Sequence, residues 1–234
     1  MTLQAIGLVG GRGPHAHAQP LFTGVEFSLD EGEALRVTGR NGSGKTTLLR
    51  TLCGLSEPQA GTLLWRGVPV WRTPTHGHPH EHTHGHPTWP QDVRYIGHAA
   101  GLKGDLSALE NLRFAQALAG RSCTEAQAAR ALQALGLGSH AVNALARTLS
   151  QGQQRRAVLA RLALPSDLDP PGLLVLDEPF NALDATSVAV LTDLLAQRLA
   201  QGAILVYTTH QGQGVPARRT QAWHLGPVHE TEVA

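Results

Sequence analysis

The sequence predicts an α/β fold: a parallel-sheet core built on a phosphate loop, preceded by extra strands and interrupted by a helical block. Three observations predict it. Gly39-Arg40-Asn41-Gly42-Ser43-Gly44-Lys45-Thr46-Thr47 fits the phosphate-loop pattern G-x-x-x-x-G-K-[ST], with a strand reading over 34–38 and a helix reading over 47–54 that Gly54 stops. Leu173-Leu174-Val175-Leu176 is a continuous apolar run followed by Asp177 and Glu178. Such a run fits a central parallel strand, with its acids at the C-terminal end where α/β folds bind ligands. Between these two stretches lie three helix-starting boxes, at Ser107–Glu110, Thr124–Gln127 and Ser150–Gln153.

Taken in order, residues 3–9 read as a first strand that Gly10-Gly11 breaks. Val25–Leu29 alternates apolar and polar residues, as a half-buried strand does. Strands placed before the phosphate loop suit a sheet that covers one side of a nucleotide site. Residues 61–65 and 68–71 read as further strands, the second kept to an edge by Pro69. The segment 76–86 then carries six histidines at alternate positions, flanked by Pro74, Pro87 and Pro90. It reads as a surface loop insertion over 74–90. Residues 93–98 read as a buried strand, and the three boxes open helices ended by Gly120, near Leu135-Gly136, and by Pro165. Residues 99–165 are therefore the helical block, and residues 1–98 and 166–234 the core, within a single domain. Asp184 caps a helix through Gln201, and residues 203–210 form the next buried strand, ending in His210. The tail after His210 reads as too short for a regulatory domain.

Composition narrows the function classes. With 234 residues, 41% of them hydrophobic, the chain can bury a substantial core. A formal charge of +1 argues against a dominant nucleic-acid footprint. Cys53 and Cys123 have no metal or redox spacing and read as thiols of a reducing compartment. No stretch approaches the ~18 apolar residues of a membrane span, and residues 1–13 carry no signal-segment pattern.

The residues themselves describe a phosphate-handling site. The glycines of the loop let successive N–H groups point at one anion, and the following helix adds its N-terminal dipole. Lys45 is placed to neutralise β- and γ-phosphates, and the Thr46 hydroxyl to take one Mg²⁺ coordination place. Phosphate-loop hydrolases also need a Mg²⁺ anchor, a water-orienting group and a γ-phosphate sensor. Asp177 reads as the anchor, acting through water. Glu178 reads as the general base. His210, ending a neighbouring strand, can hydrogen-bond the γ-phosphate.

Leu149-Ser150-Gln151-Gly152-Gln153 resembles the LSGGQ motif of the ABC transporter ATPases. Together with Gly39–Thr47, Leu173–Glu178, the Asn181–Asp184 loop and His210, the resemblance covers essentially the whole chain. It implies an ATP-binding core with an antiparallel β-subdomain and an inserted helical subdomain. It also implies a homodimer formed on ATP binding, with Ser150, Gln151, Gly152, Gln153 and Asp184 completing the nucleotide site of the other copy. Membrane permease subunits on other chains, and a peripheral place on the cytoplasmic face of the bacterial inner membrane, follow from the same resemblance.

Two departures are informative. His98 stands where most members have a glutamine, which would make the relay to the membrane partner pH-sensitive. The usual adenine-stacking aromatic is missing, and His15, His17 or Phe22 falls nearest. His98, the run Leu106–Leu112 and Gln154-Arg155-Arg156 narrow the resemblance to the haem-exporter ATPases of cytochrome c biogenesis, whose transport serves a haem chaperone. A metal-ion transporter ATPase is the alternative suggested by the histidine loop, which can hold Zn²⁺, Ni²⁺ or haem iron or simply be a solvated insertion. A non-transport cassette is a third reading, disfavoured by the near-neutral charge and the single cassette.

Overall fold

The structure, a computed structural model, describes residues 2–11, 19–71, 89–165, 172–210 and 212–226. The histidine-rich segment 76–86, together with His15 and His17, lies outside the described residues. Strands β1 (Leu3–Gly11), β2 (Pro20–Leu29), β4 (Ala60–Trp65) and β5 (Val68–Pro69) form an antiparallel sheet in the order β2-β1-β4-β5. Strands β3 (Glu33–Gly39), β6 (Val93–Ile96), β7 (Leu173–Leu176), β8 (Ile204–Thr208) and β9 (Arg219–Leu225) form a parallel sheet in the order β6-β7-β8-β3-β9. The helices are α1 (Lys45–Leu52), α2 (Trp89–Asp92), α3 (Ala108–Leu118), α4 (Glu125–Ala134), α5 (Ser139–Asn143), α6 (Gln151–Leu159) and α7 (Ala185–Ala200).

Side-chain alternation along β7 and β8 divides the apolar residues between two cores. Leu174, Leu176, Leu205 and Tyr207 face the helical block and α7. Leu173, Val175, Ile204 and Val206 face α1 and the antiparallel sheet. A parallel strand covered on both sides must be apolar at every position, and all four residues of β7 are buried.

The three helix-starting boxes hold in full: Ser107, Thr124 and Ser150 each accept a hydrogen bond from the backbone N–H three residues on, while the side chain there returns one. Asn111, on α3, is 6% exposed and clamps the preceding loop. Its amide donates to the carbonyls of Lys103, Leu106 and Ser107, and its Oδ1 accepts from Lys103 N–H.

Several expectations change. β6 is half-buried, with only Ile96 in the core, because it is the sheet edge rather than an interior strand. The helix opened by Ser150 ends at Leu159 and tightens into a 3₁₀ turn over Ala160–Ala163. The stretch after His210 is not a bare tail: β9 pairs with β3 along its whole length, from Glu33↔Arg219 to Gly39↔Leu225.

Candidate functional site

The site begins at a chain reversal. Between β3 and α1 the backbone turns through Gly39, at φ +148°, and Gly44, at φ +91°. A Cβ on Gly39 would lie 2.6 Å from the Leu225 carbonyl, and one on Gly44 2.9 Å from Leu21 Cβ, so both positions require glycine. No side chain caps α1. Its first N–H groups therefore remain open to an anion. Lys45 is 7% exposed and folds back over the loop, donating to the carbonyls of Gly39 (2.8 Å) and Arg40 (3.0 Å).

Asp177 and Glu178 leave the C-terminal end of β7 directly opposite. Thr46 Oγ1 donates to Asp177 Oδ2 at 2.7 Å, and Thr208 Oγ1 donates to Asp177 Oδ1 at 2.7 Å. Both carboxylate oxygens of this 2%-exposed residue thus have hydroxyl donors. Glu178 N–H in turn donates to Thr208 Oγ1 at 2.7 Å. Glu178 itself has φ +50°, a left-handed conformation uncommon outside glycine. That reversal coincides with a dense set of ties around its peptide and carboxylate, the over-determination that such strain requires.

The Glu178 carboxylate is flanked on three sides. His210 Nε2 lies 2.7 Å from Oε1, His98 Nδ1 lies 3.5 Å from Oε2, and Asn181 Nδ2 donates to Oε2. These groups share one cavity of about 540 Å³ with Asn41, Gly42, Gly44, Lys45, Thr46 and Thr47. The side chain of Glu178 is 15% exposed, whereas those of His98 and His210 are 71% and 39% exposed. Glu178 is therefore the inner wall and the histidines the rim.

Sequence reasoning missed four contributors. Asn181 belongs to the loop named above and reaches Glu178 because the chain turns back between the two, the Asn181 N–H donating to the Glu178 carbonyl at 3.2 Å. Thr208 reads in the sequence as one more strand residue. Leu21 lines the cavity from β2, while Phe22, its neighbour, is 2% exposed with its ring packed on Gly10 in the core. Arg155, on α6, is 6% exposed and donates to the carbonyls of Gly97 (2.8 Å), Asp177 (2.7 Å) and Glu178 (2.8 Å). Burial pulls its pKa down, and the nearby Asp177 and Glu178 oppose that.

The structure does not bring Ser150, Gln151, Gly152, Gln153 or Asp184 into this cavity. Ser150 and Gln153 are spent on the α6 box. Asp184 accepts the Ser187 N–H at 2.7 Å as the cap of α7. That hydrogen bond, aided by the Ser187 hydroxyl and Arg156, holds its carboxyl below the usual range. The two loops lie side by side, since a Cβ on Gly152 would come within 2.9 Å of the Ala182 carbonyl.

A phosphate loop with a paired-acid strand end opposite it, on a sheet flanked by a helical block, defines a nucleotide-binding cassette. Residues 22–181 match the family described as ABC transporter. A cytochrome c biogenesis ATP-binding export protein, CcmA, of Nitrosococcus oceani is 40% identical over 219 residues, 93% of this chain and 90% of that protein. The Escherichia coli K12 protein of the same name is 43% identical over 191 residues, 82% of each chain. Among solved structures, an ATP-binding subunit of an ABC transporter aligns with TM-score 0.66 and 26% identity over 90% of this chain and 80% of that one. A dimeric ATP-binding cassette in a post-hydrolysis state with ADP and Pi aligns with TM-score 0.71 at 21% identity, over 89% and 88% of the two chains. The chain belongs to the ABC transporter family, in its CcmA-type branch of cytochrome c biogenesis export ATPases.

Proposed function

We propose that this chain is the ATP-hydrolysing subunit of a membrane complex that energises haem release or export during c-type cytochrome maturation. One observation carries the reading. Thr46 of the phosphate loop is tied to Asp177 at 2.7 Å, with Glu178 beside it in one cavity, in a chain 40% identical to a cytochrome c biogenesis export ATPase.

In this reading the loop backbone of Gly39–Thr47 and the Lys45 ammonium hold the β- and γ-phosphates of ATP. The donor set fits Mg²⁺, since hydroxyl and carboxylate oxygens meet beside the phosphate site and hard cations take oxygen ligands. Thr46 would hold the ion directly and Asp177 through water; when bound, it would neutralise charge on the transferring phosphoryl oxygens. Glu178 orients the attacking water and takes its proton. His210 fixes the Glu178 carboxylate from one side and faces the γ-phosphate. His98 flanks it from the other and relays its state outward. Ser150, Gln151, Gly152 and Gln153 of a second copy, with Asp184 beside them, close over the nucleotide, because the start of α6 is an anion-attracting helix N-terminus. The division into a core (1–98 and 166–234) and a helical subdomain (99–165) puts that N-terminus on a unit that can move against the phosphate loop. No described helix is long and apolar enough to cross a membrane. By its similarity to the CcmA export proteins, we place the chain peripherally, on the cytoplasmic face of the inner membrane, bound to permease subunits.

Glu178→Gln tests the chemistry. Hydrolysis should fall by about a hundredfold or more, while ATP binding persists and a dimer accumulates. An undiminished rate refutes the role of Glu178. Cells lacking the chain test the cargo: covalent haem attachment to c-type cytochromes should be lost. Unchanged attachment, with co-purification of a zinc or manganese permease, would replace the haem reading with metal transport.

A further inference from the structure

We propose that Arg155 is a positioning residue: a single buried guanidinium that ties the α6 helix, whose N-terminus holds Ser150–Gln153, to the Asp177–Glu178 turn of the same chain. This rests on the reading that Ser150–Gln153 close over a second copy's nucleotide. It adds how an event at one nucleotide reaches the carboxylate serving the other.

Arg155 lies about one helical turn inside α6. Its Nη1 donates to the Gly97 carbonyl at 2.8 Å and lies 3.5 Å from that of His98. Its Nη2 donates to the carbonyls of Asp177 (2.7 Å) and Glu178 (2.8 Å). These carbonyls belong to the turns that follow two neighbouring strands, β6 and β7, and they carry His98 and Glu178. One rigid planar fork thus spans both turns, which a flexible ammonium cannot do. The buried Nε has no hydrogen-bond partner among the described residues. The guanidinium is therefore not placed for its own optimal pairing. Burial of the guanidinium opposes its ionisation, and the nearby Asp177 and Glu178 charges only partly offset that, so the arrangement is not the one that stability alone would select.

The other links from α6 to this region are weaker or more exposed. Arg156 reaches Asp184 at 3.9 Å and the Ser187 hydroxyl at 3.5 Å, both on the α7 side. The direct line from α6 to Glu178 runs through Arg155. Glu178 is also where displacement matters most, because its φ of +50° persists only while the surrounding bonds hold it. A shift of α6 against a second copy's γ-phosphate would pull on the Asp177 and Glu178 carbonyls and re-aim the Glu178 carboxylate between His98 and His210. Two nucleotides in a dimer are then coupled through one arginine in each copy.

The test uses the full chain co-expressed with its membrane subunits. Arg155→Met and Arg155→Lys are compared with wild type for ATP affinity, kcat, and the Hill coefficient of hydrolysis against ATP concentration. Arg155 touches no phosphate-loop residue, so ATP affinity should stay within about twofold. The expected kcat loss is on the order of tenfold to a hundredfold, the scale of a misplaced catalytic group. Cooperativity in ATP should fall towards a Hill coefficient of about 1, the value for independent sites, with lysine intermediate. A purely structural role would lower soluble yield and ATP affinity together and leave the Hill coefficient of the surviving protein at the wild-type value; that pattern overturns the proposal. Wild-type kcat and cooperativity in either variant overturns it too. If the methionine variant does not fold, the lysine variant alone is decisive by the same readouts. Ser150→Phe separates this from the underlying reading. If it leaves hydrolysis intact, the closure over a second copy is wrong. If it abolishes hydrolysis while the Arg155 variants behave as wild type, only the arginine link is wrong.

Discussion

Thr208→Val offers the sharpest check on how the paired acids are held. Valine keeps the shape of threonine and removes one hydroxyl, in a residue with no exposed surface. That hydroxyl donates to Asp177 Oδ1 and accepts from Glu178 N–H, both at 2.7 Å. The substitution deletes a hydrogen bond to a carboxylate, worth about 1.5–3 kcal/mol, and strands a backbone N–H at a further cost of about 1–3 kcal/mol. The two losses share one atom and are not additive, so a total of about 3 kcal/mol is expected. For a domain of this size each kcal/mol moves Tm by about 2–4 °C. The variant should therefore melt roughly 6–12 °C below wild type by circular dichroism, and the mobile Glu178 turn should lower kcat by about tenfold or more. Thr208→Ser keeps the hydroxyl and should cost at most about 1.5 kcal/mol. If valine melts within a degree of wild type, or serine does as much damage as valine, the hydroxyl is not what positions the acids.

Two other sites give checkable outcomes. Asn181→Ala removes the amide that donates to Glu178 Oε2, so kcat should fall about tenfold with the KM for ATP little changed; a change confined to KM would assign Asn181 to nucleotide binding instead. Glu33 is 3% exposed. Burial pushes its pKa up, but bonds from Arg219, the Asp30 N–H and Arg218 outweigh that and bring it from 4.5 down to about 2. A carboxyl depressed on folding stabilises the fold above its unfolded value and loses that stabilisation as pH falls through 4.5 towards 2. The shift sets a ceiling of about 3 kcal/mol. Its two arginines are more than half exposed, so about 1–2 kcal/mol is the expected share. Urea titrations at pH 7, 4.5 and 3 should show wild type losing this amount relative to Glu33→Gln, and parallel pH curves for the two proteins would refute it.

What could be read in the chain was what is local in it. The boxes at Ser107, Thr124 and Ser150 close between residues three apart, so their residue types carry the answer. The phosphate loop is one continuous turn whose glycines announce their own geometry, and an unbroken apolar run of four ending in two acids fits a strand covered on both faces. The family resemblance likewise rested on short contiguous motifs. β9 was invisible for the opposite reason: Arg219–Leu225 is mostly exposed and polar, and it is a strand only because β3 offers it partners about 186 residues away in the chain. The same holds for the site. Asp177 and Glu178 could be picked out from their place after β7, yet what secures them comes from β8, from α6 and from the turn that brings Asn181 back to Glu178. Thr46 meets Asp177 across 131 residues of chain and Arg155 meets Gly97 across 58. The sequence by itself determined the elements and the residue types a phosphate site needs. Only the tertiary structure decided which hydroxyl, amide and guanidinium hold Glu178 in its strained turn, because those bonds depend on strand order and helix docking and no local pattern encodes them.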